Sequence, residues 1–194
     1  MRRLSLLLLL QIVAMKRNVK SKRVAFGGMI TALSVLLMML TGVIPVLIYS
    51  TPIIVGLFLM LMVIEMGKKW AIAVYFAVSV LSMFFVAEKE SAVIYVAFFG
   101  YYPILKPIFE SIKIRPVEWV LKFITFNVSM IAAYFVLINF FGVDISSDTI
   151  VYEIGILVLL ALGNVLFLLY DIAFTRLVTA YVKIWSKFVR KFLK

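Results

Sequence analysis

Residues 24–40 read VAFGGMITALSVLLMML, an uncharged apolar run that follows directly on the basic cluster Lys16, Arg17, Lys20, Lys22 and Arg23. About 20 such residues in a helix span the roughly 30 Å hydrocarbon core of a bilayer. The cations at its entrance predict that this end stays cytoplasmic, because Lys and Arg near a first span usually set orientation. Within the run, Ala25, Gly28 and Ala32 fall at i, i+3 and i+7, with Thr31 beside them. Small residues at that spacing make a flat face on which another helix can approach closely. The approaching helix is either a neighbour from the same chain or part of a separate subunit.

The rest of the chain has the same character. Of its 194 residues 65% are hydrophobic, and the mean hydropathy is +1.17. A soluble domain of that size has too little interior for so much apolar surface, so composition predicts an all-α polytopic membrane bundle without a second domain. Cysteine is absent, which removes disulfides, thiolate ligands and cysteine nucleophiles. Histidine is absent too, which removes imidazole bases and the usual zinc and haem ligands. No metal site, cofactor or catalytic residue is expected. The net charge of +11 reads as membrane orientation and contact with anionic lipid of the inner leaflet, since no nucleic-acid motif accompanies it.

Working outward from residue 24, the preceding segment 1–23 holds Arg2, Arg3 and the apolar stretch from Leu4 to Val13. That stretch resembles a signal sequence, but it is short for a span and lacks a small-residue cleavage site. Met15-Lys16-Arg17 suits a translation start; otherwise the segment is expected as a short interfacial helix. Downstream, Gly42, Pro45 and Pro52 interrupt an apolar run about twice the length of one span. Spans are therefore expected at about 24–40, 52–66, 70–86, 91–109, 119–141 and 150–174. The uncharged turn 41–51 needs protein cover or lines a cavity. With six spans and both termini inside, every Lys and Arg except Lys89 lies at or near the cytoplasmic face, the asymmetry expected of a bacterial plasma-membrane protein. Residues 175–194 place Leu177, Tyr181, Ile184, Phe188 and Phe192 on one stripe, with Arg176, Lys183, Lys187, Arg190, Lys191 and Lys194 mainly elsewhere. This is an amphipathic basic tail for the inner leaflet or for a cytosolic partner.

Polar residues inside spans cost energy and need a reason. Glu153, Asn164 and Asp171 are separated by steps that return to within roughly 20° of one direction, so they share a face of the last span. Tyr95, Phe99, Tyr102 and Lys106 follow helical spacing in the fourth span, where Pro103 frees the carbonyl of Phe99. Thr125, Ser129, Ala132 and Asn139 line a small, polar face of the fifth span, and Asn127 lies on another. The plain readings are helix-to-helix hydrogen bonds for Asn127, Ser129 and Asn164, and an ion pair of Asp171 with Lys106 or Lys122. The solute-binding candidates, chosen by depth and helical face, are Tyr49, Thr51, Tyr95, Tyr102, Asn139, Glu153 and Asn164. Enzyme activity is not expected: the aspartate pair of an intramembrane protease and the Gly-rich phosphate loop are both missing.

The stretch from Lys22 to Leu33, with its small residues Gly28 and Ala32 four apart, resembles the Ala-x-x-x-Ala motif of the substrate-binding S components of energy-coupling factor (ECF) transporters. The chain length, the six spans and the inside termini fit that family as well. The resemblance implies capture of a vitamin-like micronutrient from outside, docking through Ala25, Gly28 and Ala32 to a membrane T subunit, and power from two ATPase subunits. The alternatives are a non-transporting membrane scaffold or assembly protein, and a small stand-alone secondary carrier.

Overall fold

The computed structural model describes residues 2–142 and 156–184. Helix α1 covers Arg2–Met39 without a break. The segment expected as a separate interfacial helix is thus the first part of α1. Between residues 2 and 26 there is neither glycine nor proline, and Leu, Lys, Arg, Gln and Met are good helix formers. The basic cluster changes the polarity of the helix but gives its backbone no reason to stop. Two short 3₁₀ turns follow, Leu40–Gly42 and Pro45–Leu47. They carry the uncharged turn, whose Val43 and Val46 are largely exposed. Thr41 and Thr51 are buried there and donate to the carbonyls of Met38 and Leu47, both at 2.7 Å.

Helix α2, Ser50–Met66, reverses into α3, Lys68–Phe85, through the single residue Gly67. Its φ of +87° is open to glycine at no steric cost, and its N–H closes α2 on the carbonyls of Met62 and Val63. α1 lies against α2 and α3 on the face that buries Ile30, Ser34 and Met38. Gly27 belongs to this face: a methyl group there would stand 3.3 Å from Val74 and 3.7 Å from Met62.

The expected fourth span is two short helices, α4 (Lys89–Ile94) and α5 (Tyr102–Phe109), joined by a π turn over Tyr95–Phe99. The Gly100 N–H reaches back five residues to Tyr95 O at 2.7 Å. Pro103 sits in the first turn of α5 and has no N–H to give to Phe99. The freed carbonyl of Phe99 turns instead toward Gly56 of α2, where a Cβ would come within 2.8 Å of it. Phe98, four residues before Tyr102, stacks on it with ring centroids 4.7 Å apart.

Helices α6, Arg115–Phe141, and α7, Ile156–Ile184, complete the described structure. An aromatic core of Phe98, Tyr102, Phe126 and Phe167 joins the broken helix to both of them. Among the described residues, five helical stretches are long and apolar enough to cross a membrane, and Ser50–Met66 is a shorter apolar helix of about 26 Å. Large apolar side chains such as Leu36, Phe76, Phe84, Phe135 and Leu166 stand on the outside, where lipid would solvate them. The fold is all-α, compatible with a multi-pass membrane protein.

The close approach of Phe99 to Gly56 carries a test. Gly56→Ala puts a methyl group onto a backbone carbonyl and should cost about 1–3 kcal/mol, the usual effect of overpacking. Gly28→Ala, where an added Cβ meets nothing within 4 Å among the described residues, should raise stability by up to about 1 kcal/mol, the helix-propensity difference between the two residues. Thermal unfolding of the two variants in detergent checks this; equal melting temperatures would show that the two backbones are not held together.

Candidate functional site

Helical spacing sets up the charge cluster at the basic end of the bundle. On α5, Tyr102 and Lys106 are one turn apart, and Glu110 follows by another turn. On α6, Glu118 and Lys122 have the same spacing. These side chains meet Asp171 from α7. Lys106, Lys122 and Asp171 are each no more than 3% exposed. Asp171 Oδ1 accepts from both Lys106 Nζ and the Tyr102 hydroxyl. Its other oxygen, Oδ2, accepts from Lys122 Nζ at 2.9 Å. Lys106 also pairs with Glu110 at 2.9 Å. Lys122 pairs with Glu118 at 2.7 Å and reaches Glu110 at 3.6 Å.

Two ammonium groups are therefore shared among three carboxylates drawn from three helices. Taking each ion from water costs several kcal/mol, and the mutual attraction returns that only with close geometry and full hydrogen bonding. The arrangement meets both conditions. Its consequence is positional: α5, α6 and α7 are locked at one depth and one rotation. Beside it opens a cavity of about 350 Å³, lined by Glu110, Arg115, Glu118, Trp119, Lys122 and Asp171, with Ile172, Thr175 and Arg176 on the α7 side.

Higher in the same bundle, Asn127 and Asn164 exchange side-chain hydrogen bonds of 2.8 and 3.0 Å. Each amide also donates to a carbonyl one turn earlier in its own helix, at Phe123 and Leu160. The Tyr101 and Ser129 hydroxyls are bonded to each other. These contacts join α6 to α7 and to the turn before α5, as expected of polar groups that hold helices together.

The structure does not gather the solute candidates into one place. Tyr49 is exposed at the start of α2, with its hydroxyl 3.5 Å from Glu90 Oε2. Thr51 is committed to the Leu47 carbonyl. Tyr95 is fully buried, and its hydroxyl has no hydrogen-bond partner among the described residues. Tyr102 is stacked on Phe98 at 4.7 Å and bonded to Asp171. Asn139 is exposed and donates to Phe135 O in its own helix. Asn164 is held by Asn127, and Glu153 lies outside the described residues. On α1 the small residues Ala25, Gly28 and Ala32 are all exposed, turned away from the face that packs on α2 and α3. The ion pairing of Asp171 with the two lysines follows the expectation. Glu110 and Glu118 were not singled out, although both stand at i,i+4 from a lysine, the spacing at which helical ion pairs form.

No family model matches this chain, and neither a curated protein nor a solved structure matches it.

Asp171→Asn removes the charge that both buried lysines share. Loss of one member of a buried cluster costs about 3–5 kcal/mol, so the variant should melt markedly lower. Adding Lys106→Met should recover part of the loss, because it removes an ammonium left without its closest partner. An additive double variant, or a single variant as stable as the parent, would show that the cluster does not fix the helices.

Proposed function

We propose that this chain is the substrate-capturing membrane subunit of an ECF-type importer. In this reading it takes up a vitamin-like micronutrient from outside a bacterial cell and docks to a T subunit powered by two ATPases. It has six spans, with both termini on the cytoplasmic side. The observation that carries the reading is the double character of α1. The helix packs on its own bundle through Gly27, Ile30, Ser34 and Met38, while Ala25, Gly28 and Ala32 stay exposed, with open space over Gly28. A small-residue face that the bundle leaves uncovered suits a helix from another subunit. A non-transporting scaffold is the second reading. It is favoured by Tyr95 and Tyr102, which are fully buried in the interior where a solute would sit.

Copurification separates the two. Affinity capture of the tagged protein from its native membrane should bring down a second polytopic subunit and two ATPases. Gly28→Leu with Ala32→Leu should abolish that association without lowering the melting temperature, since both positions are exposed. Association unchanged in the double variant would refute docking through α1, and capture without ATPases would favour the scaffold. Orientation has its own check. The natural chain has no cysteine, so single cysteines placed at Ala87 and Ser111 can be labelled without background. A membrane-impermeant maleimide applied to intact cells should modify the first and spare the second; the reverse pattern would invert the topology.

A further inference from the structure

The cavity at the basic end contains an imbalance in its pairing. Its three carboxylates, Glu110, Glu118 and Asp171, are all taken by Lys106 and Lys122. Its two guanidinium groups, Arg115 and Arg176, form no ion pair among the described residues. One stands at the first turn of α6 and the other on α7, so the cavity is flanked by unused forked donors from two helices. Guanidinium forks suit tetrahedral oxyanions, which they bind bidentately, and the first turn of α6 adds the positive end of its dipole. Trp119 forms one wall, and indole side chains settle at headgroup level. An exposed apolar surface adjoins the cavity. Ile172 lines the cavity, and Leu169, Val165 and Leu162 continue an exposed apolar stripe along α7 from that point.

We infer that this cavity binds a phosphate ester group between Arg115 and Arg176, with Thr175 as an additional hydroxyl donor. The apolar stripe on α7 makes an inner-leaflet phospholipid its source: the headgroup occupies the cavity and an acyl chain lies along Ile172 to Leu162. The site is independent of the proposed transport role, because it needs neither a partner subunit nor a solute.

Native mass spectrometry of the full chain in detergent, titrated with phosphatidylglycerol, tests the assignment. One lipid should bind ahead of any others. Arg115→Gln and Arg176→Gln should each weaken that first binding about tenfold, the effect of losing one charge-assisted hydrogen bond. Lys183→Gln, a basic residue outside the cavity, should leave it unchanged. Inorganic phosphate is the second probe. Binding of the lipid without competition from millimolar phosphate assigns the site to the headgroup. Saturable binding of phosphate that is lost in the arginine variants, with no preferred lipid, assigns it to a soluble phosphate and overturns the lipid source. Loss of first-lipid binding equal in Lys183→Gln and the arginine variants would mean a diffuse basic surface, and would overturn the site. So would arginine variants that bind both probes like the parent. Circular dichroism and melting of each variant confirm that the fold is retained.

Discussion

A carboxylate buried between two lysines is the constraint on which this bundle depends. Asp171 is nearly inaccessible and so are its partners Lys106 and Lys122. Elsewhere, apolar packing and neutral pairs such as Asn127–Asn164 also favour one arrangement. The ion cluster adds direction through charge. Asp171 presents one oxygen to α5 and the other to α6, so a rotation of α7 by one residue would strand its buried carboxylate and leave the lysines only Glu110 and Glu118. Such clusters add little net stability, because desolvation cancels most of the attraction. What they supply here is a single register for three helices.

The second organising feature is the break in the helix that carries Tyr95 and Tyr102. A continuous helix from Lys89 to Phe109 would have placed Tyr95, Phe99, Tyr102 and Lys106 along one stripe. The π turn and Pro103 divide it, and both pieces pack on α2 and α6. The first piece, with the π turn, holds on to α2 and α3: Phe99 O lies against Gly56 and Val96 O accepts from Tyr75 at 2.9 Å. The second piece turns Tyr102 and Lys106 toward α7. π turns occur often at functional positions, and in this protein the turn is what lets one helix serve both the α1–α3 layer and the ion cluster.

Much of this was readable from residue order, for identifiable reasons. The apolar lengths and the breaks at Gly42 and Pro45 depend on local chemistry, and α2, α3 and α6 follow the expected spans to within a few residues. The pairing of Asp171 with Lys106 and Lys122 was readable because a charge within a span needs a counter-charge and few were present. The π turn was not: Pro103 signals a disturbed turn but does not say that the slack is taken up by an inserted residue before it. The continuity of α1 through its basic cluster was missed because a change of polarity was taken for a change of backbone, and nothing in residues 2–26 breaks a helix. Nor does sequence spacing convey rotation. It places Ala25, Gly28 and Ala32 on one face, but only packing against α2 and α3 decides which face is spent internally.

That decision on α1 has a physical logic of its own. The adjacent glycines, Gly27 and Gly28, point in directions about 100° apart, and the protein uses them differently. Gly27 admits Val74 and Met62 at distances a side chain would obstruct, so its smallness is required by the bundle itself. Gly28 faces open space, and the bundle gives no reason for its smallness. In a helix an unneeded glycine costs about 1 kcal/mol relative to alanine. Gly27 offsets its cost through close packing, whereas the cost at Gly28 is offset by nothing within this chain. Among the described residues the smallness of Gly27 is thus a packing requirement, and that of Gly28 is not.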